Sequence, residues 1–320
     1  MNVQVALCGD SRVLPGMAVT VRSALENCSK PIDVHIVSAG LRESDKEKLR
    51  RSWVHPNCGR VAFAEIRRER LQRFRSKSFL KSKVAYARYF LAELFPALTR
   101  CIYLDTDLLV LRDLDGAFSM PLGANLAAAV RDVAIQSRGS PGLRERLGLG
   151  NERNYFNSGF MVLELDAWRR EGLTDRLVDT SIERFDALDW QDQDALNIVL
   201  EHRTLLIDST WNTSHYERPD PLAGHVLHLH DPVKPWHARY KAKFRDSYYE
   251  QVIFTAFTDV LDRTDFRGWR PWDFMGLGRS IETVRQRIPT HDMIMGKLRR
   301  HFRIAGRNSP SPTAARWRGH

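Results

Sequence analysis

Short apolar runs alternate with helical patterns over the first hundred residues of this 320-residue chain. A helical pattern lies between consecutive apolar runs, and this order favours a parallel or mixed β-sheet that is covered by helices. The apolar runs, predicted here as strands, are residues 3–7, 34–38, 61–65 and 101–104, and the predicted helices are residues 16–26, 43–53 and 83–94. The pattern is typical of an α/β protein.

The second half of the chain has a less regular pattern. Its predicted strands are residues 125–130, 160–165 and 225–230, and its predicted helices are residues 166–185 and 192–202. We interpret residues 1–264 as one α/β domain, with a C-terminal extension at residues 265–320.

The excess positive charge is concentrated in the extension. The chain has a formal net charge of +10. The segment from Arg267 onwards contains twelve basic and three acidic residues, a net charge of +9. Trp269 and Trp272 are interleaved with arginines there, and this mixture suits an anionic membrane surface. The near-neutral remainder argues against a nucleic-acid-binding core, so we expect no specific nucleic-acid partner. The last residues, rich in Pro, Ser and Arg, are predicted to be disordered.

The sequence also predicts a cellular location. It has no run of 18 apolar residues, and its first residues have neither a basic segment nor a long apolar one, so we expect no spanning helix and no signal peptide. The four widely spaced cysteines are predicted to be free thiols. We therefore expect a cytoplasmic protein, associated peripherally with the inner face of the membrane through its extension.

Two carboxylates, Asp105 and Asp107, follow the apolar strand that ends in Tyr103 and Leu104. At the end of a strand both side chains can turn toward one hard cation, and oxygen ligands suit Mg²⁺ or Mn²⁺. Such a cation can bridge a diphosphate and neutralise its charge. The same pattern also begins the active site of haloacid-dehalogenase-type phosphatases, in which the first Asp is the nucleophile. That site normally lies near the start of the chain, whereas two βα units precede it here.

Three later segments occur in a specific order after this acid pair: Asn-Ser-Gly at residues 157–159, Gln-Asp-Gln-Asp at residues 191–194, and His228 followed by Lys-Pro-Trp at residues 234–236. With the acid pair, they resemble the family 8 retaining glycosyltransferases, which include bacterial lipopolysaccharide α-galactosyl- and α-glucosyltransferases and glycogenin. The resemblance runs from residue 3 to about residue 236.

The resemblance implies a GT-A nucleotide-diphospho-sugar transferase fold, with a mostly parallel central sheet flanked by helices. It implies that a hexose, glucose or galactose, passes from a UDP-sugar to the hydroxyl of a glycan or lipid-linked acceptor and forms an α-glycoside. Lipopolysaccharide or other cell-surface glycan synthesis is the implied setting, with Mn²⁺ (or Mg²⁺) as cofactor.

Family roles can be assigned to matching positions in this sequence. The resemblance implies metal binding by Asp105, Asp107 and His228. It implies contacts with the donor UDP-sugar by Asp10, Arg88, Asp105, Asp132, Asn157 and Lys234. Asp192 and Gln193 lie where the family has its catalytic residues, and the Gln193 amide would lie below the anomeric carbon. An amide is a poor nucleophile, so we favour same-face attack with Gln193 as an electrostatic stabiliser.

Some positions leave alternatives open. Val13 stands where the family has an aromatic residue, and Asp231 stands where it often has glycine. A nucleotide-sugar-binding protein with weak catalysis is therefore one alternative, and another acid-pair phosphotransfer enzyme is a second. Taken singly, His228 could be a core histidine, and Trp211 with Asn212 could serve either packing or acceptor contact.

Overall fold

The computed structural model describes residues 1–77, 83–132, 142–151, 154–237, 240 and 247–269. Most of the predicted extension, and with it the predicted membrane contact and disorder, lies outside these residues. The domain boundary at residue 264 therefore stays a prediction. Among the described residues, no helix is both long and apolar enough to cross a membrane.

Within the described residues, ten strands form two sheets. They are β1 (Val3–Gly9), β2 (Ile32–Ser38), β3 (Cys58–Glu65), β4 (Arg100–Leu104), β5 (Leu108–Val110), β6 (Ala127–Arg131), β7 (Phe156–Glu164), β8 (Thr204–Ile207), β9 (Thr213–Ser214) and β10 (Val226–His228). The larger sheet has the strand order β3-β2-β1-β4-β7-β6-β8. Strand β7 pairs antiparallel with both of its neighbours, and the other four pairings in this sheet are parallel. The prediction of a mostly parallel sheet is thus confirmed.

The smaller sheet has the order β5-β10-β9. Strand β10 pairs antiparallel with β5 and parallel with β9. Since β5 follows β4 after three residues, the chain passes from one sheet to the other at the acid pair.

The α-helices are α1 (Leu14–Asn27), α2 (Glu43–Ser52), α3 (Arg68–Gln72), α4 (Leu91–Leu94), α5 (Asp115–Ser119), α6 (Leu143–Leu147), α7 (Leu165–Arg170), α8 (Leu173–Glu183), α9 (Asp192–Val199) and α10 (Tyr248–Leu261). Short 3₁₀ segments cover Ser11–Val13, Val84–Phe90, Phe185–Ala187, Ser209–Trp211 and His215–Glu217.

Two predicted helices differ from the structure. Residues 166–185 form α7 and α8 instead of one helix, because Gly172 between them has φ +60°, a left-handed conformation that ends the first helix. Residues 83–94 are a 3₁₀ segment followed by the single turn α4. In a 3₁₀ segment residues three apart align, and here Tyr86 and Tyr89 both pack against Phe74.

Hydrophobic residues cover both faces of the larger sheet. Side chains alternate between the faces of a strand, so Val3, Val5 and Leu7 join one core while Ala6 and Cys8 join the other. Helices α1, α2 and α10 pack in the first core, and α4, α7, α8 and α9 pack in the second. Burial on both faces is expected for a largely parallel sheet.

Candidate active site

The acid pair lies where the chain leaves the larger sheet. The amide of Asp105 donates to the carbonyl of Gly159 on β7 at 2.8 Å. The amide of Leu229, just after β10, donates to the carbonyl of Asp107 at 3.0 Å. The first acid is thus fixed to the larger sheet and the second to the smaller one.

Asp105, Asp107 and His228 form a three-residue cluster whose candidate ligand atoms all lie within 4.8 Å of one another. The Nε2 of His228 is 3.3 Å from Oδ1 of Asp107 and 3.9 Å from Oδ2 of Asp105. Two carboxylates and one imidazole fit a divalent cation such as Mn²⁺ or Mg²⁺, and they leave positions for ligands from a substrate. The opposite ring nitrogen, Nδ1, lies 3.0 Å from Oδ1 of Asn212, an outer contact that orients the ring.

Lys234 controls the charge of the second acid. Its Nζ lies 2.5 Å from Oδ2 of Asp107 and donates also to the carbonyl of Leu229 at 2.6 Å. Burial opposes ionisation of Asp107, but the ammonium group of Lys234 outweighs it and holds the pKa of Asp107 well below its ordinary value. Asp107 is therefore a carboxylate at neutral pH.

Arg88 links the acid pair to α9. Its guanidinium lies 2.9 Å from Oδ1 of Asp105 and 3.1 Å from Oδ2 of Asp192, and it donates to the carbonyl of Ser158 at 2.8 Å. The arginine is 5% exposed and stacks on the Tyr103 ring. Burial raises the pKa of Asp192, Arg88 lowers it, and nearby Asp105 raises it again, so the net direction is upward.

A second polar group surrounds Gln193 at the start of α9. The Nε2 of Gln193 donates to Oδ2 of Asp132 at 3.0 Å and to the Tyr155 hydroxyl at 3.1 Å. Its Oε1 accepts from the amide of Ser158 at 3.1 Å. Asn157 donates to the same oxygen of Asp132 at 3.1 Å. Asp132, Asn157 and Gln193, three of the predicted site residues, are thus joined in one hydrogen-bonded network.

The residue before α9 has an unusual backbone. Gln191 is the N-cap residue and has φ 47° and ψ −111°, a region that residues with a Cβ rarely adopt. Asp192 is therefore the first helical residue instead of the N-cap, and its carboxylate is available to Arg88. Strain of this kind clusters at functional sites because surrounding contacts maintain it.

Two adjoining cavities, of about 410 and 400 Å³, meet at Ala85, Arg88, Asp105 and Asp107. The first is also lined by Asp10, Arg12, Val13, Lys234 and Trp236, among others. The second is also lined by Asp132, Asn157, Trp190, Asp192, Gln193, Tyr216 and His228, among others. The acid pair thus lies where the two cavities meet.

Asp10 lies in the first cavity and pairs with Arg12, whose Nε donates to it at 2.9 Å. Asp231, the acid where the family often has glycine, turns into its own loop. It accepts from the amide of Val233 at 2.7 Å and from the Tyr216 hydroxyl at 2.9 Å. Its charge is therefore held by these donors, and Lys234 remains directed at Asp107.

Two residues of the site, Tyr155 and Asn212, belong to none of the motifs found in the sequence. Tyr155 donates to the buried Asp194 at 2.5 Å and supports Gln193. Asn212 contacts His228, while its neighbour Trp211 packs on Phe160 at 5.7 Å between ring centroids. Packing in the core is thus confirmed for Trp211, whereas Asn212 contacts a predicted metal ligand, and acceptor contact by this pair stays a prediction.

The galactosyltransferase LgtC, solved in complex with donor and acceptor sugar analogs, superposes on this chain with a TM-score of 0.71 at 22% identity, covering 82% of this chain and 96% of that one. The likeness confirms the predicted fold and defines the protein as one of GT-A type. Residues 4–239 match the model of glycosyl transferase family 8. The match covers well over half of the chain, which therefore belongs to that family and is a glycosyltransferase.

Two relatives illustrate the range of the family. General stress protein A of Bacillus subtilis (strain 168) is 24% identical over 281 residues, covering 81% of this chain and 96% of that protein. Lipopolysaccharide 1,2-glucosyltransferase of Escherichia coli (strain K12) is 26% identical over 251 residues, covering 73% of each chain. Membership of the family removes the ground for the phosphatase interpretation.

Proposed function

We propose that the protein transfers glucose or galactose from a UDP-sugar to an acceptor hydroxyl, with retention of configuration and with Mn²⁺ or Mg²⁺ as cofactor. The observation that carries the proposal is the cluster of Asp105, Asp107 and His228 at the meeting of the two cavities. A cation bound there would supply positive charge to the diphosphate of the leaving nucleotide.

The protein's own residues divide the remaining work. Lys234 carries a positive charge at the edge of the first cavity, where it suits a phosphate oxygen. Asp10 lies in the same cavity and is proposed to accept from the uracil. Asp132 and Asn157 line the second cavity with carboxylate and amide groups, which can hold sugar hydroxyls. The donor would thus span both cavities, with its diphosphate beside the acid pair.

Gln193 is proposed to stabilise the positive charge that develops at the anomeric carbon. Its side chain is held by Asp132, Tyr155 and Ser158, so the amide dipole is oriented before the sugar enters. The carboxyl group of Asp192, held by Arg88, places a second electron-rich group next to the Gln193 amide. Fixed dipoles and an amide without nucleophilic character favour same-face attack by the acceptor.

The acceptor is proposed to be a glycan or a lipid-linked glycan of the cell surface. The relative from Escherichia coli named a lipopolysaccharide glucosyltransferase supports this choice. The aromatic residues Trp190 and Tyr216 line the second cavity and offer flat apolar faces suited to a sugar ring. A cytoplasmic location, with the extension against an anionic membrane, completes the proposal.

The test is UDP release from a panel of nucleotide-sugars with and without Mn²⁺. Wild-type protein is expected to hydrolyse UDP-glucose or UDP-galactose slowly, and only with metal. Asp107→Ala is expected to abolish this activity, whereas Asp186→Ala, at a carboxylate that is 88% exposed, serves as a matched control and is expected to retain it. Absence of metal-dependent binding or hydrolysis for every UDP-sugar would reject the proposal.

A further inference from the structure

Four side chains form a continuous hydrogen-bonded row that runs from the second cavity to His228 of the candidate metal site. Asn157 Nδ2 donates to Oδ2 of Asp132 at 3.1 Å, and Asn212 Nδ2 donates to Oδ1 of Asn157 at 2.8 Å. Oδ1 of Asn212 lies 3.0 Å from Nδ1 of His228. All four residues are buried, with exposures of 5–9%, so water does not substitute readily for any of these contacts.

The direction of the row is fixed at Asn157. The backbone N–H of Gly159 donates to Oδ1 of Asn157 at 2.9 Å, and a backbone amide has no acceptor on its nitrogen. Oδ1 of Asn157 must therefore face Gly159, and its NH₂ group must face Asp132. A carboxylate accepts from that NH₂ group, so both ends of Asn157 agree.

The orientation then passes to the histidine. Asn212 has to present its NH₂ group to the oxygen of Asn157, which leaves its own oxygen for His228. An oxygen there accepts only from a protonated Nδ1. The lone pair of a neutral His228 is consequently on Nε2, the nitrogen that faces Asp107 at 3.3 Å.

We propose that Asn212 is a positioning residue, which holds His228 in the Nδ1–H tautomer so that Nε2 is ready to bind the cation. Asn157 and the amide of Gly159 determine which way Asn212 points. The tautomer follows from the hydrogen-bonded row alone, and only its effect on metal binding rests on the proposed function. Second-sphere partners of this kind commonly change metal affinity by about 10–100-fold.

Two variants separate this role from simple packing. Asn212→Leu keeps a similar shape but removes the acceptor, so the Nε2–H tautomer, which can donate to Asp107, becomes favoured. Asn212→Asp retains an acceptor for Nδ1–H, although its second oxygen faces Oδ1 of Asn157 and lowers stability. Asn57→Leu is the matched control, because Asn57 donates to two backbone carbonyls, of Leu25 and Cys28, away from the site.

The first measurement is ¹⁵N NMR of the histidine rings in the full-length metal-free protein, above the pKa of an ordinary histidine. Nδ1 of His228 is expected to carry a proton in the wild type, Asn212→Asp and Asn57→Leu. Asn212→Leu is expected to show a different protonation pattern. A bare Nδ1 in the wild type, or the same pattern in wild type and Asn212→Leu, would overturn the inference.

The second measurement is the Kd for Mn²⁺. It is determined in a titration in which the electron paramagnetic resonance signal reports the concentration of the free ion. Asn212→Leu is expected to bind about 10–100-fold more weakly than wild type, and Asn212→Asp and Asn57→Leu are expected to bind close to wild type. Unchanged affinity in folded Asn212→Leu would overturn the metal-positioning role. Absence of Mn²⁺ binding by wild type would instead reject the proposed function, while the NMR result still decides the tautomer.

Discussion

Gly159 and His228 approach so closely that no side chain fits between them. A Cβ on Gly159 would lie 2.6 Å from Nδ1 of His228 and closer still to Cε1. Gly159 lies on β7 and His228 ends β10, so this contact joins the two sheets beside the candidate metal site. The glycine is required there for space.

Gly159→Ala is therefore expected to displace the imidazole and to weaken Mn²⁺ binding by at least about 10-fold. Isothermal titration with Mn²⁺ measures the change. Gly116→Ala is the matched control, because a Cβ there would have its nearest contacts at 3.8 Å, an ordinary distance, to Trp211. Equal Mn²⁺ affinity for wild type and Gly159→Ala would show that the ring is not confined.

Removal of the Lys234 side chain is expected to lower the transfer activity more than the stability of the protein. Lys234→Ala takes away the proposed donor to the diphosphate and leaves the partly buried Asp107 with one fewer positive neighbour. We expect kcat/KM for the nucleotide-sugar to fall by about 100-fold, as for loss of one preorganised charge stabiliser. Lys30→Ala removes a surface pair with Asp115 and should leave the UDP-release kinetics unchanged. A loss of similar size in both variants would contradict the role of Lys234.

Arg88 is expected to contribute strongly to stability. Arg88→Ala leaves Asp105 and Asp192 without their shared partner, and breaking a buried ion pair in this way costs about 3–5 kcal/mol. Arg88→Lys retains the charge but cannot present the same fork to two carboxylates and a carbonyl, so we expect an intermediate loss. Urea unfolding measures both, and Arg70→Ala, at a surface pair with Glu93, should lose at most about 1 kcal/mol.

The pH dependence of stability should report on Glu26, which joins α1 to the end of α10. Arg263 and Arg22 lie 2.7 Å from its carboxylate. Burial raises the pKa of Glu26, but the two arginines outweigh it, so the pKa of Glu26 in the folded protein lies below the ordinary value of a glutamate. A depressed pKa means that the stabilisation is present above the unfolded pKa and is lost as pH falls through the folded pKa.

Glu26→Gln should therefore unfold more easily than wild type at neutral pH, by up to about 1 kcal/mol. The difference should shrink as the pH falls below the ordinary pKa of glutamate and vanish once Glu26 is protonated in the folded protein. Urea unfolding across this range measures it. A difference that is constant with pH would mean that packing, and not charge, is responsible.

Much of the fold could be predicted from the pattern of apolar residues. Strands β1 to β4 and helices α1 and α2 lie where the alternation placed them, because each has a clear period and clear ends. The direction of β7 could not be predicted, since a strand buried on both faces reads the same in either direction. The 3₁₀ form of Val84–Phe90 was also hidden, because seven residues distinguish a period of 3.0 from 3.6 poorly.

The candidate site divides in the same way. The motif residues Asp105, Asp107 and His228 were predicted to converge, although more than a hundred positions separate the acids from the histidine, and they lie together in the structure. Asn212 and Tyr155 belong to no motif. Their contacts exist only once the Ser209–Trp211 turn has met β10 and once β7 has met α9. Roles that depend on such tertiary contacts cannot be predicted from the spacing of residues along the sequence.

The register of the small sheet couples the proposed metal site to the burial of apolar side chains. Strand β10 pairs with β5 so that His228 lies opposite Leu108, and this register also buries Leu227 and Leu229. A slip of one residue would turn the imidazole to the other face and bring a leucine toward the acids. A chain that misaligned these strands would lose its apolar burial and its proposed metal ligand together, so the proposed cation binding requires the correct register of this sheet.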